Sequence, residues 1–136
     1  MTINANQVKT DPDPFEAFLI SQAFCVGDLV ITSGQAAISP TGELVGVGDF
    51  DSQVKQTMAN LSAVLEAAGS SLAQIVKVTI YLRDMANFEK IVALREQYFS
   101  PPYPADTIVE VSSLALPELD IEIEAMALTG DSKVCR

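Results

Sequence analysis

The chain has 136 residues with 8 Lys and Arg, 18 Asp and Glu and no His, so its formal net charge at pH 7 is −10. This length predicts one domain with a core large enough to fold without disulfides or metal. The acidic charge argues against nucleic-acid binding, since neutralising phosphates requires clustered Lys and Arg. The absence of His excludes an imidazole general base and the usual zinc ligand set.

The ends of the chain are polar, and we interpret residues 1–14 as a flexible leader, 15–129 as the single domain and 130–136 as a tail. The leader lacks the basic and apolar regions of a signal peptide. No apolar run approaches the roughly 20 residues that a membrane span needs. Two cysteines, Cys25 and Cys135, do not form a disulfide framework. We therefore expect a soluble, cytoplasmic protein with no membrane partner.

A β-hairpin and a long helix are predicted first. The apolar residues 15–26 and the β-branched run 29–32 flank Gly27-Asp28, a pattern typical of two strands joined by a tight turn. Residues 51–52 offer an N-cap for a helix, and Gly69 is suited to its C-terminal end. The apolar stripe of that helix consists of Val54, Met58, Leu61, Leu65 and Ala68.

A strand, a second helix and two further strands follow. Residues 76–83 alternate between apolar and polar, which predicts a strand with one buried face. Asn87 precedes the second helix, and Pro101-Pro102 ends it. The final strands are predicted at 106–111 and 120–128. The broad face of the second helix would comprise Phe88, Ile91, Val92, Arg95 and Phe99.

This order of elements predicts an α+β fold with two helices on one face of a mixed sheet. Because 49% of the residues are hydrophobic, the other sheet face needs a cover, and a symmetric oligomer would supply it. Arg95 interrupts the apolar stripe of the second helix. It is either a snorkelling Arg at the edge of the stripe or an inward Arg that lines a cleft.

Motifs spread over residues 20–128 carry a family resemblance. They include Ser33-Gly34-Gln35, Thr41-Gly42-Glu43-Leu44, Val64-Leu65-Glu66-Ala67-Ala68-Gly69, Asp84-Met85, Pro104-Ala105 and Ile121-Glu122-Ile123-Glu124-Ala125. The chain resembles the Rid family of reactive intermediate deaminases, also called YjgF. The resemblance implies a chorismate-mutase-like mixed β-sheet with two helices on one face. It also implies a homotrimer that binds small metabolites in clefts between its subunits.

The Rid resemblance further implies hydrolysis of 2-imino and enamino acids, such as 2-aminoacrylate, to 2-keto acids and ammonia without a cofactor or metal. In the family an Arg holds the substrate carboxylate through two hydrogen bonds, and a Glu with backbone groups positions water at the imine carbon. Ser33 matches the cleft Ser and Glu122 the water-positioning Glu. Gly34 and Pro104 match framework positions.

Four cleft positions depart from the family pattern. Asp106 stands where the carboxylate-binding Arg is expected, while Ile20, Val92 and Ile108 stand where the family has Tyr, Asn and frequently Cys. The charge at the anchor is reversed, so a conventional 2-imino acid deaminase is not expected. The predicted substrate-binding residues are Ser33, Gly34, Ile20, Val92, Arg95 and Ile108.

Three interpretations of Asp106 are open. It would pair with a cationic or hydrogen-bond-donating ligand, form an acid–base couple with Glu122, or only cap and solvate the start of a strand. Glu122 has its own simpler interpretation, because an alternating Glu in a half-buried strand usually faces solvent. Glu124 shares its face and is interpreted as a solvated or interface residue. Tyr81 and Arg83 share the polar face of their strand, where either an inter-subunit contact or plain exposure fits them, and we favour exposure.

The leading hypothesis is a homotrimeric Rid-like hydrolase or deaminase of an atypical small metabolite, with Glu122 and Asp106 as catalytic residues and Ser33 helping to place water. The alternative is a non-catalytic ligand-binding or regulatory trimer on the same scaffold. Some Rid relatives carry an endoribonuclease name, and the net charge of −10 argues against that activity here.

Overall fold

A computed structural model describes residues 2–135. Over this range the chain forms seven β-strands and two α-helices. The strands are Ala5–Val8 (β1), Ala23–Val26 (β2), Leu29–Thr32 (β3), Gln35–Ala36 (β4), Ile75–Leu82 (β5), Ala105–Glu110 (β6) and Ile121–Leu128 (β7). The helices are Phe50–Ala67 (α1) and Phe88–Tyr98 (α2).

The strands form one mixed sheet in the order β1-β2-β3-β7-β5-β6. β5 and β6 are parallel, and the other pairs are antiparallel. β3 and β4 both pair with β7, β3 at residues 126–128 and β4 at residues 122–123. The pairing with β7 is therefore interrupted at Ser33-Gly34, between β3 and β4.

Both helices pack on the same face of the sheet, which confirms the predicted α+β architecture. The predicted N-cap at residues 51–52 is wrong, because α1 begins two residues earlier: Asp49 caps it by accepting a hydrogen bond from the Ser52 N–H at 3.2 Å. Gly69 follows the helix at a φ of +76°. The core between helices and sheet includes Met58, Leu61, Leu65, Ile80, Leu82, Ile91, Leu94, Ile121 and Ile123, each at most 2% exposed.

The opposite face, called the outer face below, carries the other residues of each strand. In β7 these are Glu122, Glu124 and Met126, which alternate with buried apolar residues. Phe24, Ile31 and Met126 are cross-strand neighbours and are each about 40% exposed. This row of apolar side chains has no cover in a single protomer. The oligomer predicted from the sequence would cover this row, and that assembly remains a proposal.

Two local predictions are corrected by the structure. Part of the predicted leader is an edge strand, since β1 pairs with β2 from Ala5–Val26 to Val8–Ala23. The predicted broad face of α2 is narrower, because Ile91 and Leu94 are buried whereas Phe88 and Val92 are about 40% exposed. The helix lies over the sheet margin, so only a narrow stripe of it is covered. Within residues 2–135, no helix is long and apolar enough to cross a membrane.

Candidate functional site

Glu122 lies on the outer face, directly against Gly34. A Cβ built on Gly34 would lie 2.7 Å from Glu122 Cδ and would overlap the carboxylate, so only glycine leaves room for this side chain. The break between β3 and β4 brings the two residues together, because β4 pairs with the start of β7 through Ala36 and Glu122. Glu122 thus borders an open hollow of about 230 Å³ that Tyr81, Ser113 and Glu124 also line.

The environment of Glu122 favours its protonated form. Burial is the main cause, and the negative charge of Glu124 adds to it, so the pKa of Glu122 is raised above the ordinary value of 4.5. A carboxyl that keeps a proton closer to neutral pH is suited to general acid–base chemistry. The simpler interpretation of Glu122 as a solvent-facing residue of an alternating strand is therefore weaker, because the side chain is half-buried.

Ser33 and Ile20 lie on the same face as Glu122. Both border a wider apolar hollow with Phe24 and Ile31. The Ser33 hydroxyl donates a hydrogen bond to the Ser21 carbonyl at 2.5 Å, which fixes the chain before Gly34. Its remaining lone pairs can accept a hydrogen bond from a ligand or water.

Arg95 and Asp106 form a paired-charge contact between α2 and β6. Arg95 Nε donates to Asp106 Oδ2 at 2.9 Å, and Nη2 donates to Oδ1 at 3.0 Å. The two side chains are 24% and 19% exposed, although the backbone of Asp106 belongs to an exposed edge strand. Of the two interpretations of Arg95, neither a free snorkelling side chain nor a free cleft charge describes it fully. It lies at the edge of the stripe with its charge compensated.

The surroundings of this ion pair are apolar. The Arg95 guanidinium carbon lies 5.8 Å from the ring centroid of Phe88, which lies about two helical turns earlier on α2. Val92 is 41% exposed on the same helix, and Ile108 is partly buried two residues after Asp106. These residues form a partly open margin at α2 and β6, which we call the α2–β6 margin.

The predicted site residues therefore form two groups on opposite faces of the sheet. Asp106 pairs in register with Val78, whose side chain is buried under the helices. Glu122 pairs with Tyr81 on the outer face. Within one protomer the predicted acid–base couple of Asp106 and Glu122 is not formed, because cross-strand partners share a face and these two residues belong to different faces.

The sequence did not identify one contact beside Glu122. The Tyr81 hydroxyl donates to Glu124, and this hydrogen bond, with burial as a smaller cause, raises the pKa of Tyr81 to about 12. The sequence left each residue either exposed to solvent or at an interface, and both side chains are half-buried in one protomer. One indication of this contact was present in the sequence, because Tyr81 and Glu124 both lie on the polar faces of their strands. Within the described range, no group of three or more metal-ligating side chains is placed to hold an ion.

Comparison with known proteins identifies the family. The sequence profile described as Endoribonuclease L-PSP matches residues 9–129. This chain belongs to the Rid/YjgF/L-PSP family. A RutC family protein of Pyrococcus horikoshii is 46% identical over 108 residues, which cover 79% of this chain and 84% of that protein.

The chain is also similar to two further members of the family. The 2-iminobutanoate/2-iminopropanoate deaminase of Escherichia coli is 37% identical over 111 residues, covering 79% of this chain and 84% of the relative. The crystal structure of RidA from Psychrobacter superposes with a TM-score of 0.82 at 35% identity, covering 90% of this chain and 98% of that one. The predicted family and fold are thereby confirmed.

Proposed function

We propose that this protein is a Rid-family hydrolase that releases ammonia from a small imine or enamine in clefts between the subunits of a cytoplasmic homotrimer. Family membership and the deaminase among its relatives support the reaction class. The observation that carries the proposal is the position of Glu122, whose half-buried carboxyl lies against Gly34 at the edge of a hollow.

Glu122 would serve as both acid and base without any cofactor. The protonated carboxyl gives its proton to the imine nitrogen, and the resulting carboxylate takes a proton from the water that attacks the imine carbon. The same carboxyl then protonates the amine of the carbinolamine. As the C–N bond breaks and ammonia leaves, Glu122 recovers the proton from the new carbonyl oxygen. One water is consumed, and the enzyme ends in its starting state.

The homotrimer would unite the two groups of site residues. Glu122 and Ser33 lie on the outer face, and the Arg95–Asp106 pair lies at the α2–β6 margin. A cleft that contains both groups requires two copies, the outer face of one against the margin of the other. The exposed row of Phe24, Ile31 and Met126 supports such an assembly, because it gives the outer face an apolar surface to bury.

The substrate is proposed to lack the free carboxylate of a conventional 2-imino acid. Arg95 and Asp106 together are neutral, and two of the guanidinium donors are used within the pair. The role of Asp106 as a free anchor for a cationic ligand is given up, because its carboxylate is occupied by Arg95. Ile20, Val92 and Ile108 would then present an apolar cleft to a neutral ligand.

The alternative function is a non-catalytic ligand-binding or regulatory trimer. One observation favours it: the Ser33 hydroxyl proton is committed to the Ser21 carbonyl, so this hydroxyl cannot donate a hydrogen bond to a water or substrate and can only accept one. In that case the clefts would retain a ligand without hydrolysing it.

Ammonia release from small imines separates the two functions. Wild-type protein is expected to accelerate release, and Glu122→Gln should reduce the rate by roughly 10²-fold or more. The exposed Glu43→Gln is the matched control and should retain the wild-type rate. No acceleration by the wild type, or equal rates for wild type and Glu122→Gln, would reject the hydrolase in favour of the binding protein.

A further inference from the structure

Three side chains on the outer face form a connected group beside the proposed acid–base residue. Glu122 and Glu124 are two residues apart on β7 and line the same hollow as Tyr81. In register, Tyr81 is the partner of Glu122, whereas Glu124 is the partner of Thr79. The Tyr81 hydroxyl nevertheless donates diagonally to Glu124 and not to its direct partner.

This choice of acceptor makes the two carboxyls unequal. Two carboxylates that share one hollow repel each other, so a proton shared by the pair goes to the member with fewer donors. Glu124 receives the Tyr81 hydroxyl proton as a hydrogen bond, which favours its ionised form. Glu122 is desolvated by burial and lies against the backbone at Gly34. Because the pKa of Tyr81 is about 12, its hydroxyl remains a donor at neutral pH.

We propose that Tyr81 is a positioning residue that holds Glu124 as the ionised member of the pair, so that the proton needed for catalysis lies on Glu122. The proposal rests on the proposed function for the role of Glu122, but the asymmetry of the pair is a property of the protein without substrate. Tyr81 touches no reacting atom. It acts through Glu124, whose negative charge in turn keeps the proton on Glu122.

The remaining polar groups near the pair do not reverse this asymmetry. Arg83, the next residue after Tyr81 on this face, donates through Nη1 to the Pro117 carbonyl at 3.3 Å, so its charge is directed away from the pair. On the same face of β5, Lys77 donates through Nζ to Thr107 Oγ1 at 2.7 Å, so its charge is directed towards β6. Thr79, the cross-strand partner of Glu124, carries no charge. Gly34 and Ser113, which line the hollow from the loops before β4 and after β6, are also uncharged.

The test is a pH titration followed by NMR of protein labelled with ¹³C at glutamate Cδ, with Glu122 and Glu124 assigned through Gln variants. In the wild type, the upper titration step of the coupled pair should appear almost entirely at Glu122 Cδ. In Tyr81→Phe, Glu124 loses its hydrogen-bond donor, so the two carboxyls become more alike and the upper step should appear at both carbons. The exposed Tyr103→Phe loses the same hydroxyl and should titrate as the wild type.

The proposal would be overturned if the upper titration step of Tyr81→Phe still appeared almost entirely at Glu122 Cδ, as in the wild type. It would also be overturned if the upper step of the wild type appeared mainly at Glu124 Cδ. If Tyr81→Phe does not fold, Glu124→Gln provides the second test, and the midpoint of Glu122 should then fall towards 4.5. A midpoint that stays where it was would contradict the proposed influence of Glu124. Because the readout needs no substrate, it is independent of whether imines are hydrolysed. A failed hydrolase assay with the expected titration would reject the function and keep the asymmetry.

Discussion

The Arg95 guanidinium binds the Asp106 carboxylate through two nearly parallel hydrogen bonds of 2.9 and 3.0 Å. The contact joins α2 to β6. Because the two charges compensate each other, the pair adds no net charge to the α2–β6 margin. The sequence places an acid where Rid relatives are expected to carry a basic anchor, and the structure shows that a basic residue from the helix compensates it. Asp106 therefore does not leave a free negative charge at this margin.

Removal of Asp106 should weaken the fold measurably. Asp106→Asn leaves the partly buried guanidinium of Arg95 with a weaker acceptor, and we expect a loss of about 1 kcal/mol in the free energy of unfolding. Urea denaturation measures it. The Lys90–Asp51 pair is the matched control, because its side chains are 51% and 76% exposed and Asp51→Asn should change stability by less than about 0.5 kcal/mol. Equal effects of the two substitutions would contradict a special role for the Arg95 contact.

A side chain at position 34 should disable Glu122 without unfolding the protein. Gly34→Ala puts a Cβ where the Glu122 carboxylate lies, and the flexible end of that side chain has to move. We expect a stability change below about 1 kcal/mol and a fall in ammonia release of roughly 10²-fold. The control is the same substitution in the Glu122→Gln background, where no additional loss should occur. A further loss there would show that Gly34 acts through something other than Glu122.

Gln53 connects α1 to the loop before this helix and to the loop that precedes β7. Its Nε2 donates to the carbonyls of Gly46 and Glu118, and its Oε1 accepts from the Asp120 N–H at 2.8 Å. Since the side chain is 1% exposed, Gln53→Leu should leave these groups unpaired and cost about 2–4 kcal/mol in urea denaturation. Gln97→Leu on exposed α2 surface should stay within about 0.5 kcal/mol. A small effect of Gln53→Leu would mean that water replaces these bonds.

The raised pKa of Glu122 predicts a pH-dependent stability. The folded protein holds this proton more tightly than the unfolded chain, so the stabilisation is fully present below about pH 4.5 and is lost as the pH rises through the folded-state pKa. Glu122→Gln has no proton to lose and should be more stable than the wild type at about pH 8 but not at about pH 4. Thermal unfolding at both pH values measures this, with Glu43→Gln as the exposed control. A difference that does not change with pH would refute the shift.

The elements with long and regular patterns could be predicted from the sequence, and the pairings across the fold could not. The stripe of α1 and the alternation of β5 and β7 each repeat over many residues, so local periodicity was sufficient. β1 has only four residues and no clear alternation, and its pairing with β2 defines it. The polar contact of Tyr81 depends on a diagonal across two strands, with a register shift between Ile75 and Lys77.

The site residues show the same limit. Their identities followed from motifs, but their division between two sheet faces depended on the parallel register of β5 and β6, which no local pattern encodes. Asp106 and Glu122 lie apart within one protomer for this reason, and their couple across a cleft between subunits stays a prediction. The partner of Asp106 was in the sequence, 11 residues earlier, and only the position of α2 over the sheet margin brings Arg95 to it.

The most direct test of the proposed cleft compares ammonia release from 2-iminobutanoate with release from its neutral carboxamide. We predict that the wild type favours the carboxamide in kcat/KM, because the Arg95–Asp106 pair offers a carboxylate no net positive charge. Asp106→Asn, which frees the charge of Arg95, should raise kcat/KM for the carboxylate roughly tenfold, about 1.4 kcal/mol of Coulomb attraction. A wild type that favours the carboxylate, with no response to Asp106→Asn, would contradict the account.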